Sequence, residues 1–307
     1  MKYKREIGFI SKLLFILICF IFNVKKKITI KKENANISSD KCYISPEKSN
    51  LKIIHFIITR YMMERKFWKQ FDEINQENYI MNGIRVIKRY LIPSLNNQSC
   101  KQFIWILMLG NKANKTYIKS LLGNNNLFES EIIYQGDIKR YIKNKSKGFD
   151  ILITTRIDFD DRIYYDAVND VRKAINPNKP MLLYGYNKGV HYYEIENKYY
   201  EFHINYKKRG CMSIFASLIN VLNKTNDTYN IYDLGTHAKI RKTLLESYKK
   251  FGIKLLDYEP AIFDSGTEKF VWVRHNYSGQ YQFSEKIKKY LKEYNFDLYK
   301  FYGKSKK

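Results

Sequence analysis

Four short strand-like runs between residues 51 and 158, three of them apolar, constrain this chain more than anything else in it. They are LKIIHFIITR, KQFIWILMLG, ESEIIYQGD and DILITTRID. A strand covered on both faces reads as a continuous apolar run, without the alternation of a half-exposed strand. Helical segments lie between the runs. Ile84, Ile87, Lys88 and Leu91 fall at i, i+3, i+4 and i+7, and Pro93 is read as the end of that helix. KTYIKSLLG reads as a short helix stopped by Gly123, and YYDAVNDVRKAI as an amphipathic helix ended by Asn176-Pro177. Strands that alternate with helices imply an α/β fold with a mostly parallel, twisted sheet flanked by helices. Ligands of such sheets bind outside the carboxyl ends of the strands.

The texture changes after Pro180. MLLYGYNKGVHYYEIENKYYEFHI alternates and turns, which predicts antiparallel strands. SIFASLINVL and THAKIRKTLLESYKKFG read as helix-rich. Residues 51–283 therefore form one domain with a smaller antiparallel and helical C-terminal portion. The tail 284–307, SEKIKKYLKEYNFDLYKFYGKSKK, reads as a basic amphipathic helix with a Lys-covered outer face.

Residues 1–32 differ from the rest. The apolar run from Ile7 to Val24 is close to the ~18-residue minimum of a membrane span. Lys12 lies near one end, where it can snorkel, and no small-residue cleavage site follows. An uncleaved membrane anchor is expected, with an interfacial or buried helix as the alternative. Residues 33–50 are polar and read as a linker. Basic residues flank both ends of the apolar run; the working expectation is a membrane-associated protein with a cytoplasmic catalytic domain.

Lys and Arg total 55 against 30 Asp and Glu, a net charge of +25. That balance favours anionic partners. The lysines are spread along the whole chain, however, and no RNP, KH or zinc-finger pattern accompanies them. A solvated basic surface is expected first, anionic lipid second, and no specific nucleic acid. The cysteines, Cys19, Cys42, Cys100 and Cys211, are far apart with no CxxC pair. Neither a zinc site nor a disulfide framework is expected, and Cys19 and Cys100 read as ordinary free thiols.

On this basic background, ILITTRIDFDD drives an apolar strand into three carboxylates. If the strand stays extended, Asp158 and Asp160 share a face and Phe159 enters the opposite packing layer. Two adjacent carboxylates repel, and a hard divalent cation removes that cost. Mg²⁺ takes only one or two protein carboxylates and fills its remaining positions with water and phosphate. A D-x-D at a strand end thus suits a metal–diphosphate substrate. The competing reading is structural: the carboxylates cap the following helix and pair with Arg156 or Arg162. P-loop, dinucleotide, H-E-x-x-H and G-x-S-x-G patterns are absent.

HFIITRYMMERKFW, RYLIPSLNNQSCKQFIWILMLG and ILITTRIDFDD together resemble the rhamnosyltransferase family, a bacterial-type group related to GT-A glycosyltransferases. The resemblance runs from about residue 53 to about residue 280. TTRIDFDD carries it best, followed by Pro93, Ser94, Leu95 and Gln98. It implies a GT-A-like fold, a nucleotide-diphosphate sugar donor, a glycan or lipid-linked acceptor, and Mn²⁺ or Mg²⁺. The family's motif places Asp158 and Asp160 on the metal, with Asp161 supporting them. Thr59 and Arg60 end the first strand where a donor nucleotide would sit, and Arg156 adjoins the diphosphate. A C-terminal His often completes the metal site in such enzymes, which singles out His275, with His237 behind it. Asp264 and Asp233, and after them Glu268, are candidates for the general base that deprotonates the acceptor. Two rival functions stand beside this one: another metal-dependent diphosphate enzyme such as a nucleotidyltransferase, and a non-enzymatic basic protein that binds lipid or nucleic acid.

Overall fold

The computed structural model describes residues 42, 50–63, 77–123, 127–203, 215–225, 228–235, 240–250, 261–264, 269–274 and 292–303. The apolar N-terminal segment and nearly all of the linker lie outside them. Among the described residues no helix is long and apolar enough to cross a membrane.

The four runs are strands β1 (Ile53–Tyr61), β2 (Ile104–Leu109), β3 (Glu129–Tyr134) and β4 (Ile151–Asp158). They pair in parallel, in the order β4-β1-β2-β3. The helices between them are α1 (Glu77–Val86), α2 (Ile92–Asn96), α3 (Lys115–Leu122) and α4 (Ile138–Lys145), and α5 (Ala167–Lys173) follows β4. One sheet face packs Ile57, Trp105 and Leu107 under Ile84, Leu95, Ile118 and Val171. The other packs Phe56, Ile58 and Met108 under Ile138 and Ile142 of α4. Burial on both sides is why β1, β2 and most of β4 are largely apolar; the edge strand β3, ESEIIY, has no fully buried position. The fold is the expected α/β class, with a mostly parallel sheet flanked by helices.

The sheet continues past β4 to seven strands through β9 (Ala216–Val221), β6 (Met181–Tyr186) and β10 (Ala261–Asp264). β9 runs antiparallel to both β4 and β6. This corrects the reading of SIFASLINVL as helical. Ala216–Val221 is buried at every position, and a short, fully buried strand has no period that separates it from a helix. THAKIRKTLLESYKKFG does hold a helix, α6 (Ile240–Lys250). A second sheet, in the order β5-β11-β7-β8, joins β5 (Arg162–Ile163), β7 (Lys188–Tyr193), β8 (Lys198–His203) and β11 (Phe270–Arg274).

Three further expectations change. Pro93 does not end its helix. A π-helical turn over Ile87–Leu91 lets the chain continue into α2, with Pro93 in the first turn, where its missing N–H costs little. The tail is not helical from residue 292 to 297. The Tyr294 amide donates to the Tyr199 carbonyl and Glu201 to Lys292, so the chain runs along β8. Among the described residues of the tail, Leu298–Phe301 is helical, as α7, and residues 284–291 lie outside them. Phe296 and Phe301 pack with Tyr199 and Tyr192 there, and that aromatic cluster outweighs the helical pattern. Finally, Cys100 is not a free thiol: it forms a disulfide with Cys42, across 58 residues of sequence.

The interior also holds a polar chain. His55 Nε2 lies 2.7 Å from the Thr155 hydroxyl, which lies 2.7 Å from that of Ser217. His55 is therefore a packed core histidine, and burial holds its pKa well below the usual value.

Candidate functional site

Thr154, Arg156 and Asp158 share one face of β4, because alternate residues of a strand do. Arg60 lies on the same face of β1, in register with Asp158. The Arg60 and Arg156 guanidinium groups sit 3.7 and 3.5 Å from the same Asp158 oxygen. Arg156 is almost wholly buried, whereas the Asp158 side chain is 35% exposed. The two arginines also share an aromatic support. Their Cζ atoms lie 5.2 and 5.3 Å from the centroid of the Tyr232 ring.

The sequence places Tyr232 there through a short 3-10 turn, Ile231–Leu234. The Thr154 hydroxyl accepts from the Ile231 amide at 2.8 Å, which fixes that turn over β4. The Tyr232 hydroxyl donates to the Ile58 carbonyl at 3.2 Å. Burial above all pushes the phenol pKa up to about 12, against the pull of Arg156 and Arg60. Tyr232 therefore stays neutral, and it meets the two cations through its ring face. Sequence reasoning missed it. The one signal was Asn230 three residues before Asp233, a capping-box pattern with a Tyr inside it.

The acidic motif departs from its expected shape. β4 ends at Asp158, and the Asp161 amide turns back to the Asp158 carbonyl at 3.2 Å. Asp158 and Asp160 therefore flank a turn, and strand alternation does not set their relation. Phe159 packs edge-on against Tyr61, at 5.5 Å between centroids. Asp161 is fully buried, and neither carboxylate oxygen makes a hydrogen bond of normal geometry. Burial raises its pKa well above the usual carboxylate range. The charges of Asp160 and Asp158 add to that, and Arg274 opposes it.

Arg274, at the end of β11, stacks over Trp272 at 3.6 Å, and its Nε donates to His191 Nδ1 at 3.1 Å. Burial, and then Arg274, depresses the His191 pKa to about 3. The folded state thus keeps this imidazole neutral, whereas the unfolded chain protonates it below about pH 6.5. Its contribution to stability is complete above pH 6.5 and is lost as the pH falls towards 3. Asp161 acts with the opposite sign. Urea titrations of the wild type and His191→Asn are expected to diverge above pH 6.5 and converge towards pH 3; parallel profiles would contradict this.

The other residues singled out from sequence distribute as follows. Thr59 is fully buried on the opposite face of β1, and its hydroxyl accepts from Trp105 Nε1 at 3.0 Å, so it serves packing there. Asp233 accepts from the Asn230 backbone and side-chain amides at 2.9 and 2.8 Å; its visible task is to cap the turn that carries Tyr232. Asp264 ends β10 beside Tyr186, on the same sheet edge as Asp158. Three strand spacings of ~4.8 Å put the two backbones about 14 Å apart. His275, His237 and Glu268 lie outside the described residues.

The residues present suit a hard divalent cation in kind. The oxygens of Asp158 and Asp160 are hard donors at a partly exposed turn, and the Asp161 carboxylate beside them is fully buried, with Arg274 and the Val273 backbone favouring its charge against that burial. Among the described residues no group of three His, Cys, Asp or Glu could hold a metal ion. A two-carboxylate site suits an ion that keeps water and takes substrate oxygens, as Mg²⁺ does.

No family model and no curated protein matches the chain. Among solved structures, the chain is similar to S. aureus TarS at 13% identity and a TM-score of 0.40, over 72% of this chain and 60% of that one. A protein assigned as a nucleotide-diphospho-sugar transferase from Desulfovibrio desulfuricans G20 aligns at 12% identity and a TM-score of 0.34, over 76% and 95%. One assigned as a glucose-1-phosphate thymidylyltransferase from Bacillus anthracis aligns at 11% and 0.37, over 82% and 100%.

Proposed function

We propose that this chain is a GT-A-type glycosyltransferase, moving a sugar from a nucleotide-diphosphate donor to an acceptor hydroxyl. The observation that carries the reading is the pair of guanidinium groups on one tyrosine, poised at the carboxyl ends of two adjacent parallel strands beside an acidic turn. Arginine donates in a fixed fork that matches phosphate oxygens. Two such forks on a neutral ring bind a diphosphate with little reorganisation, which is how positioned charge lowers a barrier. Asp158 keeps the pair neutralised until an anionic ligand competes for it.

Asp158 and Asp160 would hold Mn²⁺ or Mg²⁺, which when bound supplies positive charge to the departing diphosphate. The chain's own residues do the rest. Arg60 and Arg156 grip and orient the diphosphate. Tyr232 keeps both forks in place. Asp264, at the same end of the sheet across β9 and β6, is the candidate base for the acceptor proton. Rhamnose as the donor sugar rests on sequence resemblance alone. The acceptor class proposed is a glycan or lipid-linked glycan, reached from a membrane-apposed position. The Cys42–Cys100 disulfide is of a kind kept in oxidising compartments. It favours placing the domain on that side of the membrane, against the cytoplasmic placement expected from sequence.

The test is a thermal-shift screen of nucleoside diphosphates with Mn²⁺, followed by donor turnover. Expected are a rise in Tm selective for one base, dependent on the metal, and release of nucleoside diphosphate with free or transferred sugar. Release of pyrophosphate instead would make the chain a nucleotidyltransferase. Turnover unchanged by EDTA would remove the metal from the proposal.

A further inference from the structure

A second concave site lies at the far edge of the sheet. β3 is the last strand, and along it Asp158, Arg60, Met108 and Ile133 form one row of Cα partners. At ~4.8 Å per strand, Ile133 is about 14 Å from the acidic turn. Here β3, α3 and α4 enclose a cavity of about 350 Å³. That is at the lower end of the ~300–1,000 Å³ range of small-molecule sites.

The lining is specific in kind. Tyr134 and Tyr141 supply two aromatic rings, and Asp137, Arg140 and Asn144 supply acceptors and donors from one face of α4. Those three are spaced so that successive helical turns present them together. Lys115 and Lys145 each lie 5.8 Å from a ring centroid, Lys115 over Tyr134 and Lys145 over Tyr141. Their flexible stems form a cover that a ligand can displace. The Tyr141 hydroxyl is buried and has no hydrogen-bond partner, which a buried polar group tolerates poorly.

Charge narrows the ligand. Asp137 is paired with Arg140 at 2.6 Å, and Glu129 and Glu131 place further negative charge near Tyr141. The lining holds three cations, Lys115, Arg140 and Lys145, against Asp137, but each already has a partner, Arg140 on Asp137 and the lysines over tyrosine rings, so an anion would have to displace these contacts, and a cation would meet the lysines. A purely apolar ligand would strand the polar groups on α4. A neutral, polyhydroxylated ring satisfies all of them, with its apolar face on tyrosine and its hydroxyls donating to Asp137 and accepting from Arg140 and Asn144. We infer that this groove is a saccharide-binding site for a neutral sugar unit, separate from the diphosphate site and able to hold a glycan while the reaction centre works elsewhere on it or on another chain.

Saturation-transfer NMR on the full chain tests this, with a panel of neutral hexasaccharides (gluco-, manno- and xylo-configured) and a sulfated hexasaccharide as the anionic arm. At least one neutral member is expected to show transfer from aromatic protons. The exposed-site double variant Arg140→Ala/Asn144→Ala should weaken it at least ten-fold with an unchanged Tm. Asp158→Ala should leave it unchanged, so the groove stands or falls apart from the proposed transferase activity. No transfer to any neutral sugar, binding only of the sulfated one, or full binding by the double variant would each overturn the assignment.

Discussion

Asp158→Asn is expected to lower donor turnover on the order of 10²–10³-fold, a loss typical of removing one placed electrostatic group from a reaction centre. The change is close to isosteric and the residue is 35% exposed, so Tm should move little. The structure makes the experiment sharper than an activity measurement alone. Asp158 has two possible jobs: holding a cation, and neutralising Arg60 and Arg156. If it only neutralises them, the amide frees both guanidinium groups. Metal-free nucleoside diphosphate then binds more tightly and turnover survives. If it holds a cation, metal-free binding again tightens, because the arginines are unopposed, but the extra affinity conferred by Mn²⁺ disappears and turnover falls with it. Titrating nucleoside diphosphate with and without Mn²⁺, in both proteins, reads the two effects separately. Retained Mn²⁺ enhancement in Asp158→Asn would assign the acidic turn to packing and leave the arginine pair to bind the ligand alone.

How much of this site could be read from the chain depends on which forces leave a local trace. β1, β2 and β4 were legible because they are covered on both faces, and that demand leaves a largely apolar run in the sequence; β3, with Glu129, Ser130 and Glu131 at the open edge, was legible from its Ile-Ile-Tyr end and its place between helices. The acidic turn was legible for the complementary reason: three carboxylates straight after a buried strand mark where the strand ends, although Asp161 itself proves fully buried. Its shape was not legible. The Asp161 amide bond back to Asp158 is a turn formed within four residues, and nothing in DFDD distinguishes it from continued extension. Tyr232 left only the capping-box pattern around it, which marks a turn but not what the turn packs on. Its position depends on the Ile231 amide meeting a hydroxyl 77 residues away, and on its own hydroxyl meeting a carbonyl 174 residues away. Such contacts are products of topology. β9 was misread for a related reason: in the middle of a sheet, with neighbours on both sides and packing on both faces, it buries every position, and its two polar residues, Ser217 and Asn220, are three apart and trace no period of two. The C-terminal tail shows the limit of pattern from the other side. Its lysines trace a helical face, but Tyr294, Phe296 and Phe301 have a tyrosine cluster to join, and burying aromatic surface outweighs the small helical preference of the intervening residues.

Breaking the Cys42–Cys100 bond is expected to produce the largest change in stability of any single perturbation of the domain. A covalent link across 58 residues removes conformational freedom mainly from the unfolded chain, and native disulfides of this kind contribute about 2–4 kcal/mol. For a domain this large, each kcal/mol moves Tm by roughly 2–4 °C. Cys42→Ser, Cys100→Ser and the double variant should therefore melt roughly 4–16 °C below the oxidised wild type, and all three should melt alike. The wild type with added reductant should join them. Equivalence is the informative part. Cys100 is buried at the end of the α2 segment, so if the two sulfurs were only neighbours, Cys100→Ser would destabilise through its buried hydroxyl while Cys42→Ser would do nothing. Non-additivity between the single variants separates a shared bond from two independent thiols. The bond ties Cys42 to the loop between α2 and β2. Protein made in a reducing cytosol should carry two alkylatable thiols at these positions and melt with the variants. Protein made in an oxidising compartment should carry none. If the two preparations are alkylated equally and melt together, the covalent link and the placement drawn from it both fail.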